Sequence, residues 1–412
     1  MKGIFWNTLG SIIFSANSVL MLIVVSREFG VVAAGEFGVA NTTAQLLYIV
    51  GIFGVNAYQM TDYNEKYSFA EYFSVKIITS IIMMVLCLCI ITLTGCMNNK
   101  NLLTLLLTLF MCINSIAELF QSFFFQHNRL DLSGKSLFTR NSLSFVIFYI
   151  SVKLKLGINS SLILMIITNL LATYFNCIRR TNRFSKINMS KNVHKVKSLL
   201  LECIPVFLSL FLMTFMTNCS KYVIEFLAND EVQGYFNIIF FPAMVINLCS
   251  SFIFKPLLNK FSSFIENNDV RRFINLLRRQ IGFILVFTFI CCLACIIAGP
   301  SVLGFFFKVD LTNYMIEMII ILFGGGCLAI AALLYYLLII LRMQKFIFLN
   351  YVICTILCIF LSVFLVSKHL ELGASIAFSI SYLILDLIFI FILIYQLRRL
   401  KNARDNRSYH HI

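Results

Sequence analysis

Four polar side chains recur at steps of three and four residues in an otherwise apolar stretch: Asn218, Lys221, Tyr222 and Glu225. That spacing places them on one face of a helix. The chemistry they offer is recognition rather than bond-making: amide and phenol groups meet hydroxyls, and a cation meets phosphate. Lys221 and Glu225 are also spaced to neutralise each other, so a structural pair is the plainer reading of the same face. A second polar face, Asn7, Ser11, Asn17 and Ser18, ends in Arg27. Single acids stand inside other apolar runs: Asp386 in Tyr-Leu-Ile-Leu-Asp-Leu, Glu118 beside Gln121, and Glu36 with Gln45. A charge at the bilayer centre costs ~2.5–3.5 kcal/mol on insertion scales, so such groups pair between helices or face a cavity.

No catalytic constellation accompanies these residues. There is no phosphate-binding glycine loop, no helical pair of histidine ligands and no serine nucleophile elbow. The five histidines are scattered through loops and tail, and nearly all of the 14 cysteines sit among Leu, Ile and Phe. Small buried hydrophobes are the plain reading of those cysteines. The expectation is a protein without enzymatic activity, metal or cofactor.

The elements that must position the polar faces follow from composition. Of 412 residues, 60% are hydrophobic and 12% charged, against about 45–50% and about 25% in a soluble domain. Mean hydropathy is +0.91. A soluble, disordered, collagen-like or coiled-coil chain is excluded, and the unbroken apolar runs exclude the alternating strands of a membrane barrel. A span needs about 20 apolar residues. Twelve such runs are predicted, at 3–25, 33–59, 72–96, 102–125, 137–156, 158–178, 199–227, 232–254, 281–303, 313–341, 346–366 and 371–397. The first lacks a cleavage pattern and reads as a retained span. With both termini cytoplasmic, 26 of the 33 Lys+Arg fall on the inner side and 7 on the outer, as the positive-inside rule requires. The net charge of +15 is therefore a topology signal, not a sign of nucleic acid.

The longest polar segment, 179–198, carries seven Lys and Arg and no acid. It divides the chain into an N-terminal six-helix bundle, 1–178, and a C-terminal one, 199–397, followed by a basic tail, 398–412. The linker and tail are suited to anionic headgroups, at about 1 kcal/mol per basic residue near the surface. A weak internal echo accompanies the division: Glu28-Phe29 and Gly35-Glu36-Phe37 in the first half, Glu225-Phe226 and Gly234-Tyr235-Phe236 in the second. An even number of spans per half places the symmetry axis along the membrane normal, with a cavity between the halves.

Several short motifs add to this plan. They are Arg27-Glu28-Phe29-Gly30, then Ala34-Gly35-Glu36-Phe37, then the segment Phe53-Gly54-Val55-Asn56-Ala57-Tyr58-Gln59-Met60-Thr61-Asp62, and Arg129-Leu130-Asp131-Leu132-Ser133-Gly134-Lys135. With the span count, the half-repeat and a Pro205-containing start to span seven, the chain resembles the polysaccharide-repeat flippases. This is the Wzx type, including O-antigen and teichoic-acid flippases, of the multidrug/oligosaccharidyl-lipid/polysaccharide (MOP) exporter superfamily. The resemblance implies an all-α polytopic membrane protein with a V-shaped pair of bundles around a central cavity. It implies transfer of an undecaprenyl-diphosphate-linked oligosaccharide across the bacterial cytoplasmic membrane. Membrane lipids and the polysaccharide polymerase machinery are the implied partners. Spans one, two, seven and eight line the cavity in that family, which makes Arg27, Glu36, Gln59, Asp62, Asn218, Lys221 and Glu225 the substrate-binding candidates. Glu118 and Asp386 are the coupling or buried polar candidates for a proton or sodium gradient. Three other functions are weighed against this one, among them a non-transporting membrane scaffold, whose embedded polar faces would all be paired between helices. A multidrug cation exporter on the same fold would use Glu36, Glu118 and Asp386. A membrane glycan polymerase would need a long outer loop, and the outer loops here are short.

Overall fold

The computed structural model describes residues 2–62, 66–94, 99–182, 187–267 and 269–409. Arg183 and Lys186 of the basic linker lie outside the described residues. The described residues are helical almost throughout, and they divide into two compact units, Met1–Thr214 and Phe215–Ile412.

In the first unit α1 (Lys2–Phe29), α2 (Val31–Ile52), the short α3 (Val55–Thr61), α4 (Phe69–Leu93), α5 (Asn99–Gln126), α6 (Leu130–Lys153) and α7 (Ile158–Thr173) follow one another through tight connections. A π turn, Tyr174–Ile178, continues α7 into α8 (Arg179–Thr181), and α9 (Val193–Leu227) begins in this unit and ends in the other. The second unit continues with α10 (Asp230–Phe254), a 3-10 turn and α11 (Leu258–Glu266), α12 (Val270–Phe307), α13 (Met315–Ile340) and α14 (Gln344–Tyr409). Helix α14 is two spans in one: His369 and Leu370 leave helical geometry, with Leu370 at φ 42°. Nine described helices are long and apolar enough to cross a membrane by length and composition. The predicted twelve arise once α14 is divided at its kink and the more polar α2 and α6 are added. Their glycines, asparagines, serines and threonines lower the hydropathy while packing inside the unit, where lipid does not reach them.

The predicted second span, 33–59, is not one helix. Phe53 and Gly54 both adopt left-handed backbone, at φ 50° and 73°, and separate α2 from α3. Gly54 is required there, since a Cβ would also lie 2.9 Å from Val206 Cγ1. A broken helix exposes its last carbonyls, and here Lys76 answers them: its buried Nζ donates to Gly51 O at 3.0 Å and Ile52 O at 3.4 Å. Lys76 and Arg140 count with the inner-side cations in the sequence, yet both side chains are fully buried within the unit.

The units are built on the same plan. Helix α5 is the central element of the first, flanked by α2, α4, α6 and α7, and α13 is that of the second, flanked by α10, α12 and α14. Helix α13 owes its place to Gly324-Gly325-Gly326. Successive helical residues point about 100° apart, so the three glycines meet three neighbours: Phe378 and Ser379 of α14, Ala243 of α10 and Thr288 of α12. In the first unit the close crossing is α1 on α6. A Cβ on Gly134 would lie 2.3 Å from Asn7 N.

Candidate functional site

The most polar interior of the first unit forms around the α2–α3 break. Tyr48, before the break, donates its hydroxyl to Glu118 Oε1. Asn56, after it, donates Nδ2 to Glu118 Oε2 at 2.5 Å. The half-buried Glu118 of α5 therefore bridges the break. Gln59, one turn beyond Asn56 on α3, is fully buried with neither amide atom hydrogen-bonded. Asn17 on α1 is likewise buried and unpartnered at both amide atoms. Buried polar groups are rarely left so.

Asp62 has a different role from its neighbours in the motif. Its carboxylate accepts Lys66 N–H at 3.0 Å, Tyr67 N–H at 3.1 Å and the Tyr72 hydroxyl at 2.8 Å. Burial pushes this carboxyl up, but the three donors outweigh it and hold it below the usual aspartate range. Asp62 thus ties down the segment that leads into α4. That helix opens on a capping box, with Ser68 N–H donating to Glu71 Oε2 at 2.7 Å. Next to it, Glu202 of α9 accepts from the Tyr58 hydroxyl, from Tyr67 at 3.0 Å and from Lys66 Nζ at 2.6 Å. The hydrogen bond to Glu202 holds the Lys66 ammonium above its ordinary range.

Arg27 and Glu36 are half-buried near the α1–α2 junction, far along both helices from Glu118. Beside them Lys153 Nζ and Glu28 Oε1 pair at 2.6 Å, at the far end of the parallel run of α1 and α6.

In the second unit the polar face of α9 forms as its spacing predicts. Asn218 is buried, and Lys221, Tyr222 and Glu225 are half-buried. Lys221 Nζ lies 4.4 Å from the centroid of the Phe240 ring on α10, a cation–π contact. Among the described residues no carboxylate lies within ion-pair distance of it. Thr217 bonds the Tyr382 hydroxyl at 2.5 Å, and Ser220 bonds Ser362 at 3.1 Å, fastening α9 to both limbs of α14. Asp386 is buried on the second limb of α14 with Oδ1 unpartnered. Its titratable neighbours are Cys327, Tyr351 and Tyr382, with no cation among them. The first unit thus carries Glu118 well inside α5, and the second carries Asp386 well inside α14. No group of three or more metal-ligating side chains occurs among the described residues.

Two participants were hidden in the sequence. Arg140 counts with the inner-side cations in the sequence because it lies early in its span. Asn56 looked like an ordinary motif residue. The signal available was the polar stripe Ser133, Ser136, Arg140, Asn141 and Ser144 on α6, all buried, at steps that keep one helix face.

The fold is that of the MOP-superfamily transporters. A multidrug-resistance MATE family transporter in an inward-facing conformation superimposes with a TM-score of 0.77 at 11% identity, covering 94% of this chain and 96% of that one. The lipid II flippase MurJ, in an inward closed conformation, gives 0.72 at 17% identity over 95% and 90%. Within that class the sequence is more specific. Residues 1–262 match the model of the polysaccharide biosynthesis protein family, and the chain belongs to that family. A curated relative, the capsular polysaccharide biosynthesis protein CapF of Staphylococcus aureus, is 25% identical over 333 residues, 77% of this chain and 80% of that protein. The protein is thus a multi-pass membrane protein of the polysaccharide biosynthesis protein family.

Proposed function

We propose that this chain is a flippase that carries an undecaprenyl-diphosphate-linked oligosaccharide, a surface-polysaccharide repeat unit, from the inner to the outer leaflet of the bacterial cytoplasmic membrane by alternating access. Membership of the polysaccharide biosynthesis protein family carries the reading. The polar face of α9 supports it in chemical terms. Lys221 has a ring, not a carboxylate, as its neighbour, so its charge is available to a diphosphate, while Asn218, Tyr222 and Glu225 suit sugar hydroxyls. Arg27 is the corresponding cation at the end of α1. Glu36 and Gln59 belong with the sugar-binding groups, whereas Asp62 supports the site by ordering the segment after α3. Glu118 and Asp386 are the groups through which an ion gradient would drive transport. The basic segment 179–198 and the tail hold the inner side to anionic lipid. Near that segment a recess of about 370 Å³ is lined by Phe175, Asn176, Arg179 and Arg180.

The test is depletion of the protein in its host, with lipid-linked oligosaccharide measured in each leaflet. Completed repeats should accumulate on the inner leaflet while surface polymer is lost. A charge-assisted bond to phosphate is worth about 1.5–3 kcal/mol, so Arg27→Ala and Lys221→Ala should each lower export about tenfold or more at normal expression. Full export by both variants would sink the reading. A second reading, a multidrug cation exporter, is favoured by one observation: among the described residues Asp386 is an acid without a neighbouring cation. Resistance to cationic dyes that rises with expression and vanishes in Asp386→Asn would favour it.

A further inference from the structure

Arg140 is fully buried in α6, and its Nε, Nη1 and Nη2 all lack a hydrogen-bond partner. Arginine does not give up its proton in a protein. A buried guanidinium with no counter-charge costs several kcal/mol, so some state of the protein must satisfy it. The ionisable groups within electrostatic reach are Tyr48 of α2, Glu118 of α5 and Cys177 of the π turn. Of these Glu118 is the one carboxylate. The other buried cation nearby, Lys76 of α4, is already engaged by Gly51 O, Ile52 O and, at 3.4 Å, Ser115 Oγ.

Glu118 is held elsewhere in this structure, and the manner of holding is informative. Its two donors stand on opposite sides of the α2–α3 break, Tyr48 before Phe53-Gly54 and Asn56 after it. Any rotation at those two left-handed residues moves one donor relative to the other, so one of the two bonds is lost. A carboxylate released by one donor beside an unsatisfied guanidinium will move to it, since the charge-assisted fork is the stronger partner.

We propose that Glu118 and Arg140 form an exchangeable charge pair. Glu118 bridges the α2–α3 break in one state of the transport cycle and pairs with Arg140 in another, which makes Arg140 a positioning residue for transport. This proposal rests on the transporter reading but not on the identity of the cargo.

A double-mutant cycle tests it. Glu118→Gln, Arg140→Met and the double variant are compared with the wild type for transport at matched membrane levels, and for the melting midpoint of the purified full chain. Each single change should lower transport more than tenfold, and the double should be no worse than the worse single. The midpoint of Arg140→Met should not fall, because the charge removed has no partner in the state described. If Arg140→Met does not accumulate, Arg140→Gln carries the cycle with the same expectations. Losses that multiply in the double variant, or full transport by the Arg140 variant, would overturn the pair. So would a transport loss that merely follows a lowered midpoint. The cargo is read from the wild type alone and the pair from variants relative to it, so failure of one is distinguishable from failure of the other. If the wild type moves a dye rather than a glycolipid, the cycle is run on the dye.

Discussion

Individual residues in this chain divide by what their polar atoms meet. Asp62 sits in the same short motif as Gln59, yet the first has three donors and the second none. Proximity in sequence therefore gives no common role. Asp62 is structural, and its effect carries a pH signature. Its folded carboxyl titrates below the ordinary range. Its contribution is thus present at neutral pH and is lost as pH falls through that depressed value. Asp62→Asn should lower stability by about 2 kcal/mol at pH 7. The difference from wild type should shrink as the pH is taken below about 4, near the unfolded aspartate value. Thermal unfolding of the purified protein at a series of pH values checks this, and a constant difference across the series would contradict it. Lys221 is the opposite case, a cation whose neighbour is a ring, and its loss should register in transport with little change in stability.

Helices in these units are set by small residues at crossings and by breaks with identifiable causes. Gly134 allows α1 and α6 to approach so closely that a Cβ would lie 2.3 Å from the Asn7 backbone nitrogen. A backbone cannot swing aside as a side chain can. Gly134→Val should force the helices apart at a cost of about 1–3 kcal/mol or more, read as a lowered melting midpoint and reduced accumulation in membranes. Helix α14 shows the complementary device. Its kink at His369 and Leu370 puts a leucine at φ 42°, a conformation glycine adopts without penalty. Leu370→Gly should therefore leave the melting midpoint unchanged or raise it. The three glycines of α13 use one helix turn to meet three neighbours, which explains a run that would otherwise weaken a helix by about 1 kcal/mol per residue.

At the scale of the molecule, each unit repeats one arrangement: a buried central helix, α5 or α13, with helices from before and after it in the chain packed around it. Each also carries an acid well inside a predicted span, Glu118 in α5 and Asp386 in α14, where a charge is costly. The topology makes its own prediction. Reporter fusions after Lys308 should be active only with a reporter that works outside the cytoplasm, and fusions after Arg342 only with one that works inside. The same result at both positions would remove a span from the count and reverse everything after it.

Much of this was written in the sequence, because lipid is an unforgiving solvent. Apolar runs of about 20 residues, basic inner loops and the polar face of α9 follow from hydrophobicity, charge and helical period alone, and they gave helical class, span number and the candidate residues of the α9 face. The family itself was legible in short motifs such as Tyr58-Gln59 and Asp62. What the tertiary structure decided was which polar groups meet. The break at Phe53-Gly54 is a backbone conformation, and no periodicity announces it. Glu118 finds Tyr48 and Asn56 across more than sixty residues of chain. Arg140 looked like a cation near a loop until α1, α2 and α5 closed around it. Such pairings arise from packing between helices distant in the chain, whereas sequence pattern reports only what each helix presents to its surroundings.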